Sequence, residues 1–200
     1  MFHQYLSRKE QIIISAIEIM DEKGINGLTM KEIAVRLNVT EPAIYRYYKN
    51  KKDVIMTILQ RFAAFDENLF DTVLQGDMNA LESIRYVIRS YTTYYESYPE
   101  LITILFSFDA YRYEKETMDM MLAIIEQRET FLCREIEKGI EEGVFDKSNI
   151  TNKNARLLMG HVWSAMYYWK MRGCQTYLKE EVMNGVNFIL EGMKVKQEKA

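Results

Sequence analysis

Chain-breaking residues are scarce here: two prolines and nine glycines in 200 residues. So few turning points exclude a fold of many short strands and favour long helices. Cysteine is scarcer still. Cys133 and Cys174 stand far apart, with no spacing for a zinc site or a redox pair. That excludes a disulfide scaffold and fits two plain thiols in a reducing cytoplasm. The only histidines are His3 and His161, too few for a histidine-built metal centre. His161, flanked by Gly160 and Val162, reads as a satisfied interior residue. The apolar stretch QIIISAIEIM is short and carries Glu18, so it is not a membrane span, and MFHQYLSRKE before it is not a signal peptide. Also missing are a glycine-rich phosphate loop, a nucleophile elbow, an HExxH motif and a useful His–Cys pair. Neither an enzyme nor a cofactor is expected.

What remains is ordinary globular material, 48% hydrophobic and 28% charged. The charge is unevenly placed. Residues 1–52 hold nine Lys/Arg against six acids, leaving seventeen against twenty-three for the rest of the chain. A basic head on an acidic body fits a head that meets a polyanion, although an imbalance of this size also arises by chance.

The head reads as four helix starts. Ser7 with Glu10 forms a capping box, opening a helix with Ile13, Ala16, Ile17 and Met20 on one face and Gly24 as its stop. Thr29 with Glu32 is a second box, opening a short helix through Ile33, Ala34 and Leu37, with Asn38 suited to the left-handed residue after it. Thr40 caps a third helix with Pro42 in its first turn. Asn50 to Asp53 looks like the start of a fourth, running toward Gly76. Two short helices around a tight turn, between longer ones, are the grammar of a helix-turn-helix.

That grammar accounts for TEPAIYRYYKNKKD, residues 40–53. A recognition helix needs short or polar residues at its start and long basic or hydroxylic ones along its exposed face. Thr40, Glu41 and Ala43 meet the first demand; Tyr45, Arg46 and Tyr47 meet the second. Ile44 and Tyr48, four apart, are the inward anchors. Lys49, Lys51 and Lys52 follow where a phosphate strand would pass.

Here the chain resembles a known family. The runs GINGLTMKEIAVRLNV and IYRYYKNKKDV, within residues 7–60, look like the DNA-binding domain of TetR-family transcriptional repressors. The resemblance implies an all-α fold: a three-helix helix-turn-helix domain over 1–50, then a larger helical effector-binding and dimerisation domain over 51–200. It places Thr29 and Lys31 at the start of the second helix, near phosphate or a base. Thr40, Glu41, Pro42 and Ala43 fall at the start of the recognition helix. Tyr45 takes a backbone-contacting role, Arg46 and Tyr47 variable reading roles, and Lys51 a phosphate clamp, with Lys49 beside it. Glu41 departs from expectation, because a carboxylate near DNA is repelled unless it accepts from a cytosine amino group or faces away.

In the body, helices are expected near 51–75, 79–97, 100–109, 114–142, 153–172 and 176–195, about nine in the whole chain. Leu81, Ile84, Ile88, Tyr91, Tyr95 and Tyr98 form a core-facing stripe. Aromatic and methionine residues are plentiful, Tyr113 among them. Such stripes are either plain core or the wall of a ligand pocket. The pocket reading takes Phe62, Phe65, Tyr91, Tyr94, Tyr95, Phe106, Met121, Trp163 and Tyr167 as lining, with Arg85, Arg89, Arg112 and Arg128 available to cap a carboxylate. Gly160, Ser164, Gly185 and Gly192 put small residues on the last two helices, where the resemblance implies a four-helix dimer interface.

Two functions follow as expectations. One is a cytoplasmic homodimeric repressor on a pseudo-palindromic double-stranded DNA operator, released by a hydrophobic or amphipathic small molecule. The other is an architectural or partner-recruiting DNA-binding protein on the same scaffold, with no small effector.

Overall fold

The computed structural model describes residues 6–112, 114–150 and 153–195, so His3 and Tyr113 lie outside it. The described residues form ten α-helices: α1 (Arg8–Gly27), α2 (Met30–Arg36), α3 (Glu41–Tyr45), α4 (Lys51–Gln75), α5 (Ala80–Ser97), α6 (Glu100–Leu105), α7 (Phe108–Tyr111), α8 (Lys115–Glu141), α9 (Asn154–Met171) and α10 (Leu178–Met193). No strand is formed among them, only one isolated antiparallel bridge between Phe145 and Lys194. The fold is all-α, as expected. The helix expected over 100–109 is divided in two. Ser107 donates to the Thr103 carbonyl at 2.6 Å, and the Tyr111 hydroxyl donates to that of Ile104 at 2.5 Å. Side-chain hydroxyls thus take two of the carbonyls that would otherwise continue α6.

Two compact units result. One comprises residues 1–64 and 100–124, the other 65–99 and 125–200. α4 begins in the first unit and ends in the second.

In the first unit, Ser7 accepts from the Glu10 N–H at 3.3 Å, while the Glu10 carboxylate accepts from the Ser7 N–H at 2.9 Å. α1 buries Ile12, Ile13, Ala16, Ile19 and Met20, with Ile17 only half-buried. Gly24 turns the chain at φ 67°, where any other residue would be strained. α6 packs on α1, and the Thr103 hydroxyl donates to Asp21. Lys52 pairs with Glu116 at 2.9 Å.

In the second unit, α9 and α10 pack on each other and α10 on α5. α5 buries Ala80, Ile84, Val87, Ile88, Tyr91 and Tyr95. Leu81 is half-buried and Tyr98 is exposed, so the stripe drifts off both of its expected ends.

Candidate nucleic-acid interface and interior polar site

α2 starts on Thr29, whose hydroxyl accepts from the Glu32 N–H at 3.0 Å. Glu32 does not reach back to complete the box; it accepts from Lys23 on α1 at 2.6 Å. Arg36, at the other end of α2, pairs with Glu22 and Glu18 of α1. These ties hold α2 against α1 and leave Thr29 and Lys31 exposed. Asn38 takes φ 52°, the left-handed turn residue expected between the two helices.

α3 is a single short turn with Pro42 near its start. Ile44 and Tyr48 are buried anchors, which aims the rest of the segment outward. Thr40, Pro42, Tyr45, Arg46, Tyr47 and Lys49 are exposed, and Glu41 and Ala43 half-exposed. Thr40 sits at the cap position without a side-chain cap bond. The Tyr45 hydroxyl is held above the usual phenol range by desolvation first, then by the charge and hydrogen bond of Glu41.

Lys51 differs from the simple clamp expected. Its ammonium donates to the Ile25 carbonyl near the end of α1, and burial lowers its pKa. Lys51 thus joins the start of α4 to the end of α1, while Lys49 stays exposed. Lys52 is turned to Glu116.

The second unit holds a buried ion pair. Asp66 of α4 and Arg128 of α8 are 0% and 2% exposed, with Nε to Oδ2 at 2.6 Å and a second contact at 3.1 Å. The guanidinium also lies 3.5 Å from the Tyr95 hydroxyl and 4.8 Å from the centre of the Tyr91 ring. Burial opposes the Arg128 charge, but Tyr95, Tyr91 and Asp66 around it hold its pKa well above the usual range. Phe65 stacks on Tyr94 with centroids 4.2 Å apart and lies 6.0 Å from Tyr91; Tyr94 meets Tyr95 edge-on at 5.3 Å. Four of the nine expected pocket residues, Phe65, Tyr91, Tyr94 and Tyr95, are thus brought together. Phe62 and Met121 are buried and Phe106 half-buried in the first unit. Trp163 is half-buried, and Tyr167 lies exposed beside Tyr168. Of the four arginines, only Arg128 turns inward; Arg85 bonds Asn187 at 3.0 Å, and Arg89 and Arg112 are exposed.

Sequence reasoning missed Asp66, although a signal was present. Phe62, Asp66, Leu69 and Val73 recur at helical spacing, and all are buried. A charge inside an apolar stripe needs a partner.

On α9 and α10, Gly160, Ser164 and Gly192 are exposed. Around them stand exposed large apolar residues: Leu157, Tyr168 and Met171 on α9, and Phe188 on α10, which is 83% exposed in the single chain. Gly185 is used within the chain. A Cβ there would lie 2.2 Å from the His161 ring, whose Nε2 is 3.1 Å from the Val182 carbonyl oxygen. His161 is thus half-buried and partnered.

Residues 12–56 match the family model for bacterial regulatory proteins of the tetR family. An uncharacterised HTH-type transcriptional regulator of Mycobacterium tuberculosis is 26% identical over 172 residues, covering 84% of this chain and 70% of that one. Among solved structures, the ketosteroid transcriptional regulator KstR2 of Mycobacterium tuberculosis superposes with TM-score 0.82 at 15% identity, covering 95% and 96% of the two chains. The transcriptional regulator FadR of Bacillus subtilis, in complex with stearoyl-CoA, gives 0.78 at 19%, covering 93% and 100%. The structural likenesses establish the shared fold. The head of the chain, residues 12–56, matches the TetR family of bacterial regulatory proteins, and a relative aligned along most of the chain is an HTH-type transcriptional regulator.

Proposed function

We propose that the chain is a ligand-responsive repressor that binds a pseudo-palindromic operator as a homodimer in the cytoplasm and is released by a hydrophobic or amphipathic small molecule. The observation that carries the DNA reading is the outward face of α3 and its exit. Tyr45, Arg46, Tyr47 and Lys49 are all exposed there, while Ile44 and Tyr48 anchor the helix from below. Hydroxyls and cations on one exposed turn suit a phosphate-lined groove. Thr29 and Lys31 at the start of α2 extend the same surface, with Thr40, Glu41, Pro42 and Ala43 at the tip of α3. No described helix is long and apolar enough to cross a membrane.

The dimer follows from the exposed face of α9 and α10. Leu157, Met171 and Phe188 are too apolar to be left in water without cost, and Gly160, Ser164 and Gly192 let a second pair of helices approach. A two-fold dimer calls for symmetric half-sites. The effector reading rests on Phe65, Tyr91, Tyr94 and Tyr95 gathered around the Asp66–Arg128 pair, apolar wall and polar handle together. One structural neighbour is in complex with stearoyl-CoA, an amphipathic ligand.

Fluorescence anisotropy with labelled duplexes from the chain's own promoter region tests the reading. Binding is expected to be dimeric and to weaken steeply with salt as phosphate counterions are released. Salt-independent binding, or none to any promoter duplex, overturns it.

A further inference from the structure

The unexplained feature of the second unit is a polar group without a role. The Tyr91 hydroxyl is buried, its residue 2% exposed, and finds no hydrogen-bond partner of ordinary geometry among the described residues. The Asp66 carboxylate is its nearest acceptor and attracts it, but the contact falls short of hydrogen-bond geometry, and that carboxylate already binds Arg128 through both of its oxygens. Buried hydroxyls are normally paired, and an orphan costs stability unless something else uses it.

We propose that Tyr91 donates its hydroxyl to a neutral acceptor, the carbonyl oxygen of a ketone, ester or thioester, on an otherwise apolar effector. This rests on the reading of the chain as effector-responsive and narrows the class of effector. The charge balance of the site decides the class. Asp66 and Arg128 already cancel each other at 2.6 Å. An anionic head group would add an unpaired negative charge beside Asp66, and a cation an unpaired positive one beside Arg128. Either costs more than a neutral head group in so dry a place. Burial first of all keeps the Tyr91 hydroxyl protonated far above neutral pH, so it acts as a donor. Next to it, Phe65 stacked on Tyr94 offers a flat apolar wall for hydrocarbon.

Among the described residues, two more buried side-chain atoms are orphaned, Ser83 Oγ and Glu135 Oε2, on α5 and α8, the helices that carry Tyr91 and Arg128. These helices run antiparallel: Lys138 donates to the Met78 carbonyl at 2.6 Å, and Arg128 meets Tyr95 further along. Glu135 lies two turns from Arg128, roughly 10 Å along the axis.

The test uses the full chain bound to its operator and a matched set of compounds on one hydrocarbon skeleton: methyl ester, carboxylic acid and trimethylammonium. The set is repeated over a ladder of chain lengths and on a fused-ring skeleton. Tryptophan emission from Trp163 and Trp169 reports binding, and anisotropy reports operator release. The ester is expected to bind and release the operator in preference to the acid and the ammonium. Tyr91→Phe should leave the ligand-free melting temperature unchanged or raise it, yet weaken ester binding by about tenfold. Release by acid or ammonium but not by ester overturns the inference and leaves the effector reading standing. Equal ester affinity in Tyr91→Phe overturns it too. So does a fall in ligand-free melting temperature, because the hydroxyl would then already have a partner. Silence from every arm, with operator binding intact, overturns both readings.

Discussion

Removing one member of the Asp66–Arg128 pair should be among the most damaging single changes in the second unit. Asp66→Ala leaves a guanidinium that is 2% exposed without its counter-charge. Breaking a buried pair in this way costs about 3–5 kcal/mol, because the remaining charge has no water to turn to. For a chain of this size that is a fall of roughly 10 °C in melting temperature. Replacing both residues, Asp66→Leu with Arg128→Met, removes the charge problem altogether and should recover most of the loss, since apolar packing in place of a buried pair is often neutral. Far-UV circular dichroism follows thermal and urea unfolding of wild type, both single variants and the double variant. Protein concentration is held fixed, because a dimer's apparent stability depends on it. The coupling energy from the cycle is the quantity of interest. A loss below about 1 kcal/mol in Asp66→Ala, the level of an exposed pair, would refute the reasoning. A double variant whose loss equals the sum of the singles would refute it equally.

Lys51→Ala should lower stability by about 1–2 kcal/mol through the lost bond to the Ile25 carbonyl, and weaken binding to cognate and scrambled DNA alike. Lys49→Ala should leave melting unchanged but reduce the salt slope of operator binding by about one; a stability loss there would contradict its exposure. Gly185→Ala should destabilise by about 1–2 kcal/mol, because the new Cβ would meet the His161 ring. In a His161→Ala background the same change should stabilise by about 1 kcal/mol through helix propensity, and the same sign in both backgrounds would show that the ring is not the obstacle. Phe188→Glu should convert the dimer to monomer in analytical ultracentrifugation and weaken operator binding; an unchanged dimer would place the interface elsewhere.

The head was legible because its signals are local. A capping box at Ser7, a left-handed residue at Asn38 and proline in the first turn of α3 each depend on a few consecutive residues. The four-residue spacing of Ile44 and Tyr48 was enough to tell which side of α3 is buried. In the body, periodicity gave the helices but not their exact stripes. Tyr98 carries the right spacing for burial yet is exposed, because α5 ends at Ser97.

The sequence by itself determined that this is a helical protein with a helix-turn-helix head, since helix starts, stops and faces are written in short-range chemistry. Only the tertiary structure decided what each long side chain does. Lys51 looked free for phosphate but bonds the end of α1, twenty-six residues back in the chain. Gly185 looked like a site for a second chain but makes room for His161. Asp66 and Arg128, sixty-two residues apart, became one neutral pair in the interior. A charged or missing side chain takes its meaning from what lies within a few ångströms of it, and no local pattern records which distant residue that will be.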